Sequence, residues 1–127
     1  MVYQLKFDPK TPSLIVDTYL EGKIILHAKF VLDTGASFLL VPWWIATGLG
    51  LKIDPKNLTP TTTASTVENV PLSTIPKVTC LDKTTRNVTC IIKDLPPEAG
   101  VDGLLGLSFL RNFNLAINFK KGTLKLE

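Results

Sequence analysis

Phe30-Val-Leu-Asp-Thr-Gly-Ala-Ser37 joins an apolar, strand-prone run to an acid, a hydroxyl and a glycine. Aromatic and β-branched residues favour a strand. A carboxylate at the end of a buried strand is costly unless it is hydrogen-bonded or neutral. Gly35 lets the backbone turn sharply and brings its amide close to Asp33. Thr34 places a hydroxyl where it can bond to the backbone and brace the loop. Taken alone, the triplet also reads as an ordinary Asx-type turn that ends a strand.

Outward from this stretch the pattern is mostly β. Leu14 to Leu20 and Ile24 to Leu32 read as two strands joined at Glu21-Gly22-Lys23, with the glycine expected to supply a positive φ. Pro42 to Gly48 reads as one or two helical turns opened by proline and closed by glycine. Residues 51–60 read as a loop with two prolines, and 61–70 as an exposed, threonine-rich hairpin. A further hairpin is expected from 75–81 and 88–92 around a Thr84-Thr85-Arg86 loop, with Val78, Cys80, Cys90 and Ile92 on one face. Residues 95–100 form a Pro-Pro loop. Apolar residues at 104, 105, 107, 109, 110 and 113 fit a short buried helix over Gly103–Phe113. Residues 115–119 and 123–126 close the chain as a hairpin around Lys121-Gly122.

The 127 residues fit one domain, 1–127, able to bury a core without metal or disulfide. An apolar share of 45% is consistent either with a well-filled β core or with surface buried against a partner. The net charge of +3 comes from scattered lysines and arginines, with no basic stripe, so nothing supports nucleic-acid binding. No apolar run is long enough to span a bilayer as a helix. None at the N-terminus reads as a signal peptide, so a cytoplasmic setting is expected. A Thr84–Arg86 loop would set Cys80 opposite Cys90, which allows either a cross-strand disulfide or two reduced core thiols. One histidine and two cysteines on separate segments give no zinc set, and no metal or cofactor is expected.

A second motif, Val101-Asp-Gly-Leu-Leu-Gly106, leads into the expected helix. Leu104-Leu105-Gly106 resembles the hydrophobic-hydrophobic-Gly motif that packs behind the Asp-Thr-Gly loop in retropepsin-like aspartic proteases. The order of elements from Leu14 to Phe119 is similar to that family as well. The resemblance implies an all-β, closed β-barrel-like acid protease fold with one short C-terminal helix and one lobe per chain. It implies Asp33, Thr34 and Gly35 as the catalytic triplet. Ala36 and Ser37 would meet substrate, as would a flap tip at Ala64, Ser65 and Thr66. Phe38, Leu39 and Val41 are the apolar residues expected near the site. The chain departs from the retroviral pattern in having no glycine between Gly50 and Gly100, so its flap should be stiffer or differently shaped. Residues 120–127 extend beyond that pattern, so the terminal strands can pair differently.

The implied chemistry needs two facing carboxyls, one taking a proton from water and one donating to the peptide carbonyl. Groups about 3 Å apart share a proton, because both cannot ionise easily. The chain carries one such triplet; Asp102 reads as a turn residue. The second carboxylate would come from Asp33 of another copy, making a two-fold homodimer that hydrolyses extended peptides. Ala36, where pepsin-like relatives usually carry a hydroxyl, implies an acidic optimum milder than theirs. The alternative is a dimeric binding module of the same fold with little or no hydrolysis.

Overall fold

The computed structural model describes residues 3–62 and 65–127. Its strands are β1 (Leu5–Lys6), β2 (Ile15–Glu21), β3 (Ile25–Leu32), β4 (Leu39–Val41), β5 (Leu58–Thr62), β6 (Val67–Cys80), β7 (Lys83–Ile92), β8 (Gly103–Leu105), β9 (Leu115–Asn118) and β10 (Thr123–Leu126). Helix α1 (Trp43–Leu49) follows β4, and α2 (Leu107–Leu110) follows β8. Strands β2, β3, β8, β4, β7 and β6 run in that order, and a β2–β6 pairing closes them into a barrel. β5 extends from β6 outside the ring. β1, β10 and β9 form a separate three-stranded sheet. The all-β barrel expectation therefore holds, with α1 a second helical segment beside the short C-terminal one.

Alternation decides what fills the barrel. Val16, Thr18 and Leu20 of β2 and Ala28, Phe30 and Leu32 of β3 point inward, while Ile15, Tyr19 and Ile25 face outward. Phe109 and Leu110 of α2 and Ile45, Ala46 and Leu49 of α1 plug the same core. Leu124 and Leu126 of β10 join it, which fastens the terminal sheet to the barrel.

Several boundaries differ from the sequence expectation. Gly22 does not adopt a positive φ. It is needed for room: a Cβ there would sit 2.4 Å from the Leu49 carbonyl oxygen. Lys23 N–H donates to that same oxygen (2.9 Å), docking the hairpin against α1. Gly50, not Gly48, terminates α1 in the left-handed conformation (φ 69°). β5 begins at Leu58, inside the expected loop, and tolerates Pro60 because it is an edge strand. Gly103–Leu105 is a strand, and the helix starts only at Leu107.

The β6–β7 turn also moves. Cys80 pairs with Lys83, so the turn is Leu81-Asp82, both at positive φ (51° and 66°) as a two-residue hairpin requires. Thr84 and Thr85, good strand formers, continue β7. Cys90 then lies opposite Ser73, not Cys80. The expected single face of Val78, Cys80, Cys90 and Ile92 is buried, but the cysteines are free thiols and the disulfide alternative is not realised.

Burial pushes the Cys80 thiol up to about 11 and the Cys90 thiol up to about 12. Thr18, buried on β2 opposite Cys80, directs its hydroxyl at that thiol and holds the shift back slightly. By strict geometry Thr18 Oγ1 has no hydrogen-bond partner among the described residues. Raised thiol values favour the neutral form, so their contribution to stability is complete below the unfolded thiol range. It is lost as pH climbs through 11 and 12. The folded protein should therefore resist a thiol-reactive disulfide reagent at about pH 8, and both cysteines should react in denaturant. The urea midpoint should fall steadily above about pH 9. Rapid labelling of the folded chain would contradict this.

Candidate active site

β8 lies between the two strands that flank the Asp33 loop. It runs parallel to β3, with Phe30, Val31 and Leu32 opposite Gly103, Leu104 and Leu105, and antiparallel to β4 at Leu40–Leu104. The chain from Leu32 to Leu39 must pass across the end of β8, which is why residues 33–38 form an outward loop. Asp33 N–H donates to Leu105 O (3.0 Å), and Ala36 N–H donates to Asp33 O (3.2 Å). The carbonyls of Ala36 and Ser37 accept from Leu107 N–H (2.8 Å) and Ser108 N–H (3.0 Å) at the start of α2. A Cβ on Gly106 would sit 2.4 Å from Phe38 O and 2.6 Å from Ala36 O. Glycine there is what lets α2 reach the loop.

Asp33 is half-buried. Its Oδ1 accepts from Gly35 N–H (2.9 Å), which is the Asx-type turn the triplet allows. Among the described residues its Oδ2 has no hydrogen-bond partner. Thr34 is exposed, and its hydroxyl bonds to none of them, so the expected brace within the loop is not formed. Asp102 is a turn residue as expected: its carboxylate accepts from Lys29 N–H (2.9 Å) and its own N–H donates to Lys29 O (2.8 Å).

A cleft of about 420 Å³ opens beside Asp33. Gly35, Ala36 and Ser37 line it with Asp33; Phe38, Leu40, Ile91 and Leu104 form an apolar wall; and Thr59 to Thr62 of β5 cover it. Among the described residues Asp33 is its only ionisable side chain. Of the apolar residues expected near the site, Phe38 lines the cleft, but Leu39 and Val41 turn into the core and are fully buried. Leu40, which alternation sends the other way, takes their place.

The flap expectation shifts too. Ser65 and Thr66 are exposed between β5 and β6 and do not line the cleft, and Ala64 lies outside the described residues. The cover comes from Thr59, Pro60, Thr61 and Thr62, hidden in sequence by the two-proline context of Leu58. A larger groove, about 550 Å³, lies between Gly22, Leu51, Ile53 and Pro76. Its carboxylate, Asp54, is engaged by Lys56 N–H in its own turn (2.9 Å), and no residue of the Asp33 loop reaches it. Among the described residues no group of three His, Cys, Asp or Glu side chains is placed to hold a metal ion, and no helix is long and apolar enough to cross a membrane.

Residues 16–109 match a family model described as aspartyl protease. The structure is similar to the crystal structure of a retropepsin-like aspartic protease from Rickettsia conorii. That match has a TM-score of 0.67 and 24% sequence identity, covering 97% of this chain and 87% of the other. No curated protein sequence matches. Gly106→Ala should cost about 3 kcal/mol, because the two carbonyls it meets are backbone atoms, and that of Ala36 is already held by Leu107 N–H. Urea unfolding measures this, and a loss under about 1 kcal/mol would show that the loop and α2 can separate freely.

Proposed function

The chain belongs to the aspartyl protease family and has the retropepsin-like fold, and from that premise we propose that it is an endopeptidase whose active form is a homodimer with one Asp33 from each subunit. The observation that carries the proposal is a cleft whose sole ionisable side chain, among the described residues, is one Asp-Thr-Gly carboxylate with an unbonded oxygen. One carboxyl cannot be ionised to take a proton from water and protonated to donate to the carbonyl at the same moment. A second copy related by a two-fold axis supplies the other. The ionised member takes a proton from water while the protonated member donates to the peptide carbonyl. Thr34 and Gly35 shape the loop that presents the carboxylate, and the exposed Thr34 hydroxyl is available to the facing subunit.

The cleft suits an extended peptide. Its wall of Phe38, Leu40, Ile91 and Leu104 favours bulky apolar side chains next to the cut, and β5 offers a strand edge that a substrate backbone can pair with. Ala36 and Ser37 lie on the substrate's path beside Asp33. Ser65 and Thr66 would touch substrate only if the β5–β6 hairpin bends over it. The glycine-free hairpin favours a second reading, a peptide-binding dimer with feeble hydrolysis, since a stiff cover closes poorly.

Cleavage of a peptide library with and without pepstatin separates the two readings. Asp33→Asn should fold normally and lose at least about 100-fold in kcat/KM. A three-fold excess of it mixed with wild type should cut activity per wild-type chain to about one quarter, since mixed dimers lack one carboxylate. Full activity in that mixture would sink the shared site.

Ala36→Ser should move the acidic limb of the pH profile downward, because a hydroxyl beside the carboxylates favours their charged form. An unmoved or raised limb would count against that role.

A further inference from the structure

Behind the Asp33 loop, one hydroxyl ties three chain segments together. Ser108 lies in the first turn of α2 and is half-buried. Its Oγ donates to Thr89 O of β7 (2.7 Å) and accepts from Leu39 N–H at the start of β4 (2.9 Å). Its own N–H donates to Ser37 O (3.0 Å). Leu39 is fully buried, so without that oxygen its amide would be stranded away from water, a state folded proteins avoid.

These bonds hold the loop at its exit as Asp33 N–H on Leu105 O holds it at its entrance. Between the two anchors lie Asp33, whose Oδ2 is free among the described residues, and Gly35, Ala36 and Ser37, which line the cleft. Ser108 does not line the cleft, so it can act on chemistry there only through the loop. We infer that Ser108 is a positioning residue: its hydroxyl clamps the exit of the Asp33 loop to β7 and α2 and so fixes where the carboxylate stands. Catalysis tolerates little error in that placement; a shift of about 1 Å costs on the order of 100-fold in rate. The site requires a small group that both donates and accepts, because its partners are one carbonyl and one amide. Serine is such a group, and alanine, the better helix former, is not. A loss on Ser108→Ala therefore reports the hydroxyl and not the helix.

The catalytic part of this inference rests on the protease reading, and the test keeps the two apart. Wild type, Ser108→Ala, Ser108→Thr and Ser108→Cys are compared with Val78→Ala, a core truncation on β6 opposite Leu20 and Thr85. Each is assayed on a fluorogenic peptide with apolar residues flanking the cut, well below the lowest melting midpoint. Amide hydrogen exchange is followed over residues 33–39 and over the β2–β3 hairpin.

Ser108→Ala should lower kcat about 10- to 100-fold with KM changed less than about 3-fold. Exchange over 33–39 should rise at least about 10-fold while the β2–β3 hairpin is unchanged. The Ser108→Thr variant should restore both, and the weakly bonding thiol of Ser108→Cys should fall between, which keeps the test decisive if Ser108→Ala does not fold. A kcat no lower than that of Val78→Ala, or exchange that rises uniformly, would overturn the inference, as would a loosened loop with unchanged kcat. If wild type cleaves nothing, the protease reading fails on its own. The exchange comparison then still decides whether the hydroxyl clamps the loop.

Discussion

The structure depends on a close approach of backbones where β8 enters between β3 and β4. At Gly103 a Cβ would stand 2.1 Å from Leu40 O, and at Gly106 it would stand 2.4 Å from Phe38 O. No side chain of any size fits either place. Because both positions are glycine, a strand of three residues completes the barrel and α2 seats directly on the loop it supports. The loop has nowhere to go but outward, which is why Asp33 faces a cleft although β3 leads it out of the core.

That geometry separates support from chemistry. The groups that hold the loop are backbone amides and carbonyls from β8 and α2, together with one serine hydroxyl from α2. The groups facing the cleft are a carboxylate, small loop residues and an apolar wall. The wall belongs to a small cluster of its own, Leu40, Val70 and Ile91 with Phe38, Leu72, Leu95 and Leu104 packed on it. It is distinct from the barrel interior, so changes to the wall leave the main core filled.

The terminal sheet follows a different rule. β1, β10 and β9 pair within one chain, and Leu124 and Leu126 anchor them in the main core. The hairpin of 115–119 and 123–126, which β9 and β10 form, is legible in the sequence, but the pairing of β1 with β10 is not. Among the described residues no strand pairs with the outer side of β9, and Thr34 is exposed.

What the sequence determined by itself was local or motif-like. Asp33 at the end of an apolar strand and the Asx-type turn onto Gly35 follow from residue type over a few positions, while the support from Leu104-Leu105-Gly106 and the barrel class came from the resemblance those motifs carry. Turn chemistry and strand alternation act at that range. Tertiary structure decided what depends on partners far along the chain. The Cys80–Lys83 register, and so the separation of the two thiols, rests on where the Leu81-Asp82 turn falls when β6 also pairs with β2. The cleft's cover by Thr59–Thr62, the choice of Leu40 over Leu39 and Val41, and the meeting of Ser108 with Leu39 and Thr89 depend on which face each element turns to its neighbour. A one-residue slip reverses that face, and only burial against the assembled core selects between the two.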